Sequence, residues 1–267
     1  MAFAIVYRQV QQVPAARWTD FLELEKRIAI VEAEAGYPAA RRYRAMFGGE
    51  SSNTRVYSRI FESYADFAKL LAERFLDDEL AKLDAEKLNL IDWERDELYY
   101  LDSGSPVPRW MQAISRKPFE SEHVACAIPR HDSTAIDPEQ VRKNIEAGKL
   151  RVMYRQIQHV PRDRWAEKME QERMSDEAEL KQGNPLPLRL RSMHSPMDSH
   201  TRVSEREYES MEQLCCVTEN FFAETTPEDA EVMDAECSRQ EFFTWEREEL
   251  YYVDSDSFDP DWMSMTE

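Results

Sequence analysis

Apolar residues recur with two different periods along the first part of the chain, and these periods predict six secondary-structure elements. Alternation with a period of two predicts strands, and apolar stripes with a period near 3.6 predict helices. The strands are predicted over residues 4–13, 40–47, 54–62 and 93–102, and the helices over 15–35 and 63–90. The order strand, helix, strand, strand, helix, strand is the βαββαβ arrangement of ferredoxin-like folds.

The same pattern occurs a second time. VYRQVQQVPAARW at 6–18 recurs 147 residues later as MYRQIQHVPRDRW at 153–165, and WERDELYYLDS at 93–103 recurs as WEREELYYVDS at 245–255. Because paired units commonly assemble about a two-fold axis, we expect an α+β fold in which two tandem ferredoxin-like repeats pack as a pseudo-dimeric barrel. The predicted parts are a first repeat over 1–112, a connector over 113–150 and a second repeat over 151–267.

The composition indicates a folded, acidic protein. Apolar residues make up 42% of the chain, and 53 Asp and Glu outnumber 34 Lys and Arg to give a formal charge of −19. That charge argues against a nucleic-acid partner, because a phosphate backbone is also negative. No apolar run approaches a membrane span of about 20 residues, no signal peptide is recognisable, and no cysteine spacing suggests zinc. We therefore expect a cytoplasmic protein without a membrane partner.

One segment resembles a known family. The run GGESSNTRVYSRIFESYADFAKLLAERFLDDELAKL at 48–83 combines a glycine-containing turn, an Arg-Val strand, an acidic corner and a helix. This run is similar to the corresponding stretch of the NIPSNAP family, which belongs to the dimeric α+β barrel superfamily. In that superfamily two four-stranded sheets face one another and enclose a cavity. The resemblance implies that the two repeats form such a barrel within one chain.

Strand parity predicts which side chains face the cavity. The apolar pairs expected under the helices are Val6 and Met153, Val10 and Ile157, and Val56 and Val203. The polar set expected to line the cavity is Tyr7, Gln9, Gln11, Arg42, Arg44, Arg55, Arg59, Glu97 and Tyr99, with the counterparts Tyr154, Gln156, Gln158, Arg189, Arg191, Arg202, Arg206, Glu249 and Tyr251. The arginines would bind a substrate oxygen, the glutamines would orient it, and the tyrosines would supply a proton. Alternatively, the arginines pair with carboxylates as a structural network.

The histidines are further candidates, because the first repeat has none. His159 or His194 could serve as a general base if only the second half is active. His159, His194, His200 and Glu205 could also converge on a single metal ion, which needs three or four ligands, although no tight spacing supports that site. An ordinary hydrogen-bonded histidine is the alternative in each case.

Haem and half-buried carboxylates complete the candidates. Some barrels of the superfamily bind haem through a helical histidine, but the predicted helices at 63–90 and 210–242 contain none, so we expect no haem. Glu25 and Glu172 fall on the apolar stripe of the first helix of each repeat. Each could act as a base with a raised pKa or pair with a neighbouring arginine.

The resemblance implies a small-molecule enzyme of the cofactor-independent oxygenase, cyclase or isomerase type. It would act on an anionic or carbonyl-rich substrate in a cavity between the repeats, with a small-molecule ligand as its partner and further homo-oligomers possible. A non-catalytic binding or scaffold protein is one alternative, and a metal-dependent oxygenase that uses the second-repeat histidines is another. An enclosed cavity of about 300 Å³ or more would favour ligand chemistry, whereas a filled interface between the repeats would favour a scaffold.

Overall fold

The computed structural model describes residues 4–38, 40–48, 51–101, 151–181, 185, 187–194, 200–223 and 242–253. Within these ranges it contains eight strands and five helices. The elements of the first half are β1 (Ile5–Gln12), α1 (Trp18–Glu34), β2 (Arg41–Gly48), β3 (Thr54–Phe61), α2 (Tyr64–Leu76), α3 (Asp78–Leu88) and β4 (Trp93–Leu101). Those of the second half are β5 (Val152–His159), α4 (Trp165–Lys181), β6 (Leu188–His194), β7 (Thr201–Tyr208), α5 (Met211–Ala223) and β8 (Trp245–Val253).

The predicted long second helix is two helices, because the chain turns at Asp77. This residue has extended backbone angles, and its carboxylate accepts hydrogen bonds from the backbone N–H groups of Glu79 and Leu80. An acidic N-cap satisfies backbone donors that a new helix leaves free, so Asp77 both ends α2 and begins α3. Ser63 caps α2 in the same way, through the N–H of Asp66.

The eight strands close into one antiparallel barrel in the order β1-β3-β2-β8-β5-β7-β6-β4. The pairs β2–β8 and β4–β6 join the two halves. Corresponding strands have the same register, since Ile5 lies opposite Phe61 and Val152 lies opposite Tyr208. Glycine at position 48 allows β2 to lie close to β8. Any other residue would place a Cβ 2.5 Å from the carbonyl oxygen of Glu248, which is too short for a contact.

The barrel interior is filled by two apolar clusters. One contains Val6, Ile60, Tyr99, Leu101, Ile157, Leu188, Leu190 and Val203. The other contains Val10, Tyr43, Ala45, Val56, Met153, Tyr251 and Val253. Both draw residues from both halves of the chain, so the predicted cavity between the repeats is replaced here by packed side chains.

A layer of buried charge lies between the two clusters. Arg8 donates to Glu97 at 2.9 Å, and Arg155 lies 3.1 Å from Glu249, 3.3 Å from Glu97 and 3.0 Å from Glu205. The side chains of Arg8, Arg155 and Glu97 are fully buried. Burial opposes ionisation of Glu97, but the two arginines hold the pKa of its carboxyl well below the usual range.

The inside and outside faces derived from strand parity are therefore reversed on β1 and β3. Val6, Val10 and Val56, which we predicted under the helices, point into the barrel, whereas Tyr7 and Arg59 lie on its outer face. Both faces of these strands are buried, because the helices cover the outside and the facing strands cover the inside. Alternation alone consequently cannot distinguish one face from the other.

Strand β4 departs from the predicted parity in a second way. Glu97 and Tyr99 were predicted to share a face with Tyr7, but Val6 lies directly opposite Tyr99, and Tyr7 lies opposite Leu98. Residues directly opposite one another share a face in an antiparallel pair. Glu97 and Tyr99 therefore face the barrel interior, as predicted, while Tyr7 does not.

Ion pairs hold the first helix of each half against the outer face of the barrel. Glu25 of α1 accepts from Arg55, and Glu172 of α4 accepts from Arg202 and lies 3.0 Å from Arg189. The pairing alternative for both glutamates is thus the one observed. None of the helices in the described ranges is both long enough and apolar enough to span a bilayer.

Replacing the central carboxylate should destabilise the whole barrel. We expect Glu97→Gln to lower the free energy of unfolding by about 3–5 kcal/mol, because it leaves buried arginine charge without its partner. Urea unfolding followed by circular dichroism measures this change. Glu23→Gln, on the exposed face of α1, is the matched control and should change little. Equal losses in the two variants would contradict a special role for the layer.

Acid should remove the stabilisation that Glu172 provides. Burial opposes its ionisation, but Arg202 and Arg189 lower its pKa to about 2, against about 4.3 in an unfolded chain. This depressed pKa stabilises the fold by about 3 kcal/mol above pH ~5, and the contribution disappears as the pH falls towards 2. The difference in unfolding free energy between wild type and Glu172→Gln should therefore shrink between pH 6 and pH 3 in urea titrations. Arg173 also lowers the pKa of Glu170, but that ion pair is exposed to solvent, so Glu170→Gln should show a much smaller trend.

Candidate functional site

A cavity of about 200 Å³ lies between the outer face of β1, β3 and β4 and the helices α2 and α3. We call it the first-half cavity. Its lining consists of Tyr7, Gln9, Tyr37, Tyr57, Arg59, Phe61, Phe67, Leu70, Leu71, Arg74, Phe75, Asp84, Lys87, Leu88, Glu94 and Asp96. The set combines aromatic and aliphatic walls with a few polar groups, which is the usual make-up of a small-molecule site.

The apolar wall is held in place by aromatic packing. The ring of Phe67 on α2 lies 5.4 Å from that of Tyr7 and 5.3 Å from that of Phe61. These separations are in the range of favourable ring contacts. Tyr37 supports the same wall by donating to the backbone carbonyl of Leu70 at 2.5 Å. The wall can therefore receive a flat or apolar molecule without rearranging.

Tyr57 is the polar group most available to a ligand. Its hydroxyl makes no hydrogen bond to any residue that the structure describes, although the side chain lines the cavity. Burial raises the pKa of Tyr57 to about 12, so the hydroxyl is a donor at neutral pH. The guanidinium of Arg59 lies 5.2 Å from its ring centroid. The side chain is half-buried, and its hydroxyl is left to donate to an oxygen of a ligand in the cavity.

The charged residues of the cavity balance one another. Arg59 and Arg74 both bind Glu32, and Lys87 lies 2.8 Å from Glu94. Altogether the lining contains three cationic and three acidic side chains. A ligand with a net charge would gain little from such a lining, because each cation already has a carboxylate partner. The cavity thus favours a neutral molecule.

A hydrogen-bond chain connects the cavity with the surface. The hydroxyl of Tyr7 donates to Asp96 at 2.7 Å, and the amide of Gln9 donates to both groups at 3.0 Å. Burial, together with Tyr57 and Asp96, raises the pKa of Tyr7 well above its ordinary value. Asp96 is exposed, so the chain ends in solvent.

The second half repeats this hydrogen-bond chain. Tyr154 donates to Glu248, and Gln156 donates to Tyr154 at 2.9 Å. The position of Tyr57 is different, because Ser204 stands at the corresponding place on β7. Of the two halves, only the first places a tyrosine at this point.

The remaining predicted residues of the first half are dispersed. Arg42 and Arg55 face Glu25 on α1, and Arg44 lies over the ring of Trp18 at 4.4 Å. Tyr99 is inside the barrel. Thus Tyr7, Gln9 and Arg59 share the first-half cavity, and the other predicted side chains of this half do not.

The predicted arginines of the second half are engaged mainly by the first helix of that half. Arg189 binds Asp176, Arg191 lies 4.6 Å from the ring centroid of Trp165, and Arg202 binds Glu172. Arg206 lies on β7 opposite Tyr154. In the barrel, Tyr251 donates to Glu249 at 2.6 Å.

The histidines do not form a metal centre in the described ranges. The rings of His159 and His200 lie 5.6 Å apart, and Nδ1 of His159 is 2.7 Å from the hydroxyl of Thr244. Glu205 instead faces Arg155 inside the barrel. His194 lies on β6 opposite Leu98, and its side chain is outside the described part. No group of three or more His, Cys, Asp or Glu that could hold a metal ion occurs among the described residues.

The cavity also contains four side chains that were not predicted as site residues, namely Tyr57, Tyr37, Phe67 and Lys87. The prediction was based on polar residues that both copies retain, and Tyr57 is replaced by Ser204 in the second copy. The signal that could have indicated Tyr57 is the exchange of a large polar residue for a serine within strands that are otherwise similar.

The fold is similar to those of several solved proteins. A candidate monooxygenase from Fusobacterium nucleatum has a TM-score of 0.58 and 8% identity over 95% of this chain and 94% of its own. An anthrone oxidase-like protein has a TM-score of 0.52 and 12% identity over 95% and 92%. A candidate monooxygenase from Lactobacillus acidophilus has a TM-score of 0.53 and 5% identity over 93% of each chain. At these identities the likeness is one of fold alone.

The narrower family assignment has little support. A NIPSNAP family protein from Agrobacterium tumefaciens covers 40% of this chain and 94% of its own, with a TM-score of 0.35 and 13% identity. That similarity is too low to carry an argument. No protein-family profile matches the chain, and no curated protein matches its sequence.

Filling the first-half cavity should block a neutral apolar probe. N-phenyl-1-naphthylamine, whose fluorescence rises in apolar sites, should bind the wild type at one site. We expect Leu71→Trp to weaken that binding by about tenfold or more, because the indole would occupy space at the cavity wall. Ile30→Trp, on the exposed side of α1, is the control and should leave binding unchanged. Equal affinity in all three proteins would place the probe elsewhere.

Proposed function

We propose that this protein is a small-molecule enzyme of the oxygenase, cyclase or isomerase type that works without a resident cofactor. Its substrate would occupy the first-half cavity. The observation that carries the proposal is the hydroxyl of Tyr57, which has no hydrogen-bond partner among the described residues and lies in an aromatic cavity with balanced charges. The fold of the structurally similar candidate monooxygenases is in keeping with oxidative chemistry.

The substrate is a neutral ring system with one carbonyl or phenolic oxygen. Tyr57 donates a hydrogen bond to that oxygen, while the rings of Phe61 and Phe67 contact the apolar body. When the substrate loses a proton, negative charge develops on the oxygen. The hydrogen bond from Tyr57 then strengthens towards the enolate or phenolate oxygen and stabilises it more than the neutral ground state, which is the requirement for catalysis.

Tyr7 and Asp96 provide a route for the proton. The hydroxyl of Tyr7 already donates to Asp96. It can therefore accept a proton from the substrate while passing its own proton to the carboxylate, so that no buried phenolate forms. Because Asp96 is exposed, the proton then reaches solvent.

The proposal places the active site in the first of two duplicated ferredoxin-like units, 1–112 and 151–267. The absence of histidine from the first repeat pointed to the second half instead. One observation favours the first half: Tyr57, which lines the described cavity, stands where the second half has Ser204. Cytoplasmic location and further homo-oligomers remain predictions.

A non-catalytic binding protein is the second candidate. Two observations favour it. The interior between the repeats is filled, which is the outcome that we expected of a binding or scaffold protein. Arg59, Arg74 and Lys87 are also paired with carboxylates, and paired cations stabilise a developing charge less than free ones. Such a protein would bind the same neutral ligands through Tyr57 and would release them unchanged.

Anthrone, a neutral three-ring ketone, is a suitable probe for both candidates. The name of one structurally similar protein mentions an anthrone oxidase, and the reaction of anthrone with O₂ to give anthraquinone and water is balanced without a cofactor. Binding is measured without oxygen by calorimetry, and turnover is measured in air by oxygen uptake and absorbance above the uncatalysed rate.

Removing the Tyr57 hydroxyl should weaken both steps. We expect Tyr57→Phe to weaken binding by up to about tenfold, as for one lost hydrogen bond, and to lower kcat by about 10²-fold or more. Tyr252→Phe, which removes a hydroxyl outside the first-half cavity, should match the wild type. Binding without oxygen uptake would reject the oxygenase reaction for this substrate, and binding unaffected by Tyr57→Phe would reject the assigned site.

A further inference from the structure

The first-half cavity opens to solvent between two apolar helix surfaces. Leu71, Phe75 and Leu88 all line the cavity, yet they are 37%, 78% and 62% exposed. Other lining residues are buried, among them Phe61 and Leu70 at 2% and 9% exposure. The exposed three therefore form the mouth, and we call them the apolar rim.

The apolar rim follows from the sequence of α2. Phe67, Leu70, Leu71 and Phe75 form one helical stripe. Phe67 and Leu70 pack against the sheet, whereas Leu71 and Phe75 continue the stripe beyond the edge of the packed surface. A contiguous exposed apolar surface beside a cavity commonly marks a place where a ligand or partner lies.

The two halves of the chain differ at this rim. The residues that correspond to Phe67 and Leu70 in α5 are the apolar Leu214 and Val217, and both pack against the second-half sheet. The residue that corresponds to Leu71, however, is Thr218, whereas Phe75 corresponds to Phe222. Packing against the sheet thus requires apolar residues in both halves, but it does not require one at the position of Leu71. Of the two rim residues on α2, Leu71 is the one that is apolar only in the half that carries Tyr57.

The opposite side of the mouth is acidic. Glu94 and Asp96 project from β4 on the sheet side and belong to the same lining as the rim. Glu94 is paired with Lys87, but Asp96 is exposed and accepts hydrogen bonds from the neutral Tyr7 and Gln9, so its carboxylate disfavours an anionic group at the entrance. A ligand part that lies at the mouth is therefore apolar and contacts the helices.

We propose that the substrate is a neutral phenol or ketone whose ring carries an alkyl-type apolar chain opposite its oxygen. This inference rests on the proposed function, since the oxygen binds Tyr57. The ring fills the cavity, and the chain leaves through the mouth and lies across Leu71, Phe75 and Leu88. Burying those three side chains under the chain provides affinity in proportion to chain length.

The test uses a series of 4-alkylphenols from ethyl to octyl, measured by displacement of N-phenyl-1-naphthylamine. We expect the dissociation constant to fall about twofold for each added methylene, because a chain that lies across the apolar rim buries about half of each such group. Phe75→Ser and Leu88→Ser should flatten this dependence for the longer chains and leave the ethyl compound unchanged. Ile30→Ser, an exposed apolar residue of α1, is the control and should keep the wild-type slope.

The outcomes separate this inference from the proposed function. If no phenol binds, the proposed site itself is rejected. If phenols bind with an affinity that depends on Tyr57 but not on chain length, the site stands and the inference is overturned. It is also overturned if sedimentation shows that the wild type is a dimer and that Phe75→Ser is a monomer, because a second copy of the chain would then cover the apolar rim.

Discussion

The fold depends on the buried layer of charge at the centre of the barrel. Arg8 and Arg155 come from β1 and β5, which are not neighbours in the strand order. Each reaches across the interior, Arg155 to Glu97 and Arg8 to the hydroxyl of Tyr251. An unpaired buried charge costs several kcal/mol. Each half therefore supplies groups that the buried arginine of the other half requires, and the layer fixes how the halves meet.

Because side chains fill the barrel interior, the first-half cavity lies outside the barrel. With two apolar clusters and the charged layer in place, the space between sheet and helices is where a described cavity occurs. The arginines that the sequence suggested for substrate binding mostly contact carboxylates or rings of α1 and α4, as expected for the alternative of a structural network. Arg59 is the exception, because it joins a helix carboxylate and also lines the cavity.

Differences between the halves are compensated where they concern packing. Arg41 of β2 forms an ion pair with Glu207 of β7. Leu188 corresponds to Arg41 and Ile60 corresponds to Glu207, and these two residues belong to one apolar cluster. The same pair of positions is therefore an ion pair in one case and a pair of apolar residues in the other.

The periodicities were sufficient to predict the strands and most helices, because local burial patterns follow directly from the sequence. The recurrence of VYRQVQQVPAARW likewise indicated corresponding strands, which have the same register. The tertiary structure alone decided which face of each strand is inside. Both faces are buried, so alternation is equally compatible with either choice. It also decided the site, since Tyr57, Phe67 and Lys87 are brought together by the packing of α2 and α3 on the sheet, and no spacing along the chain encodes that contact.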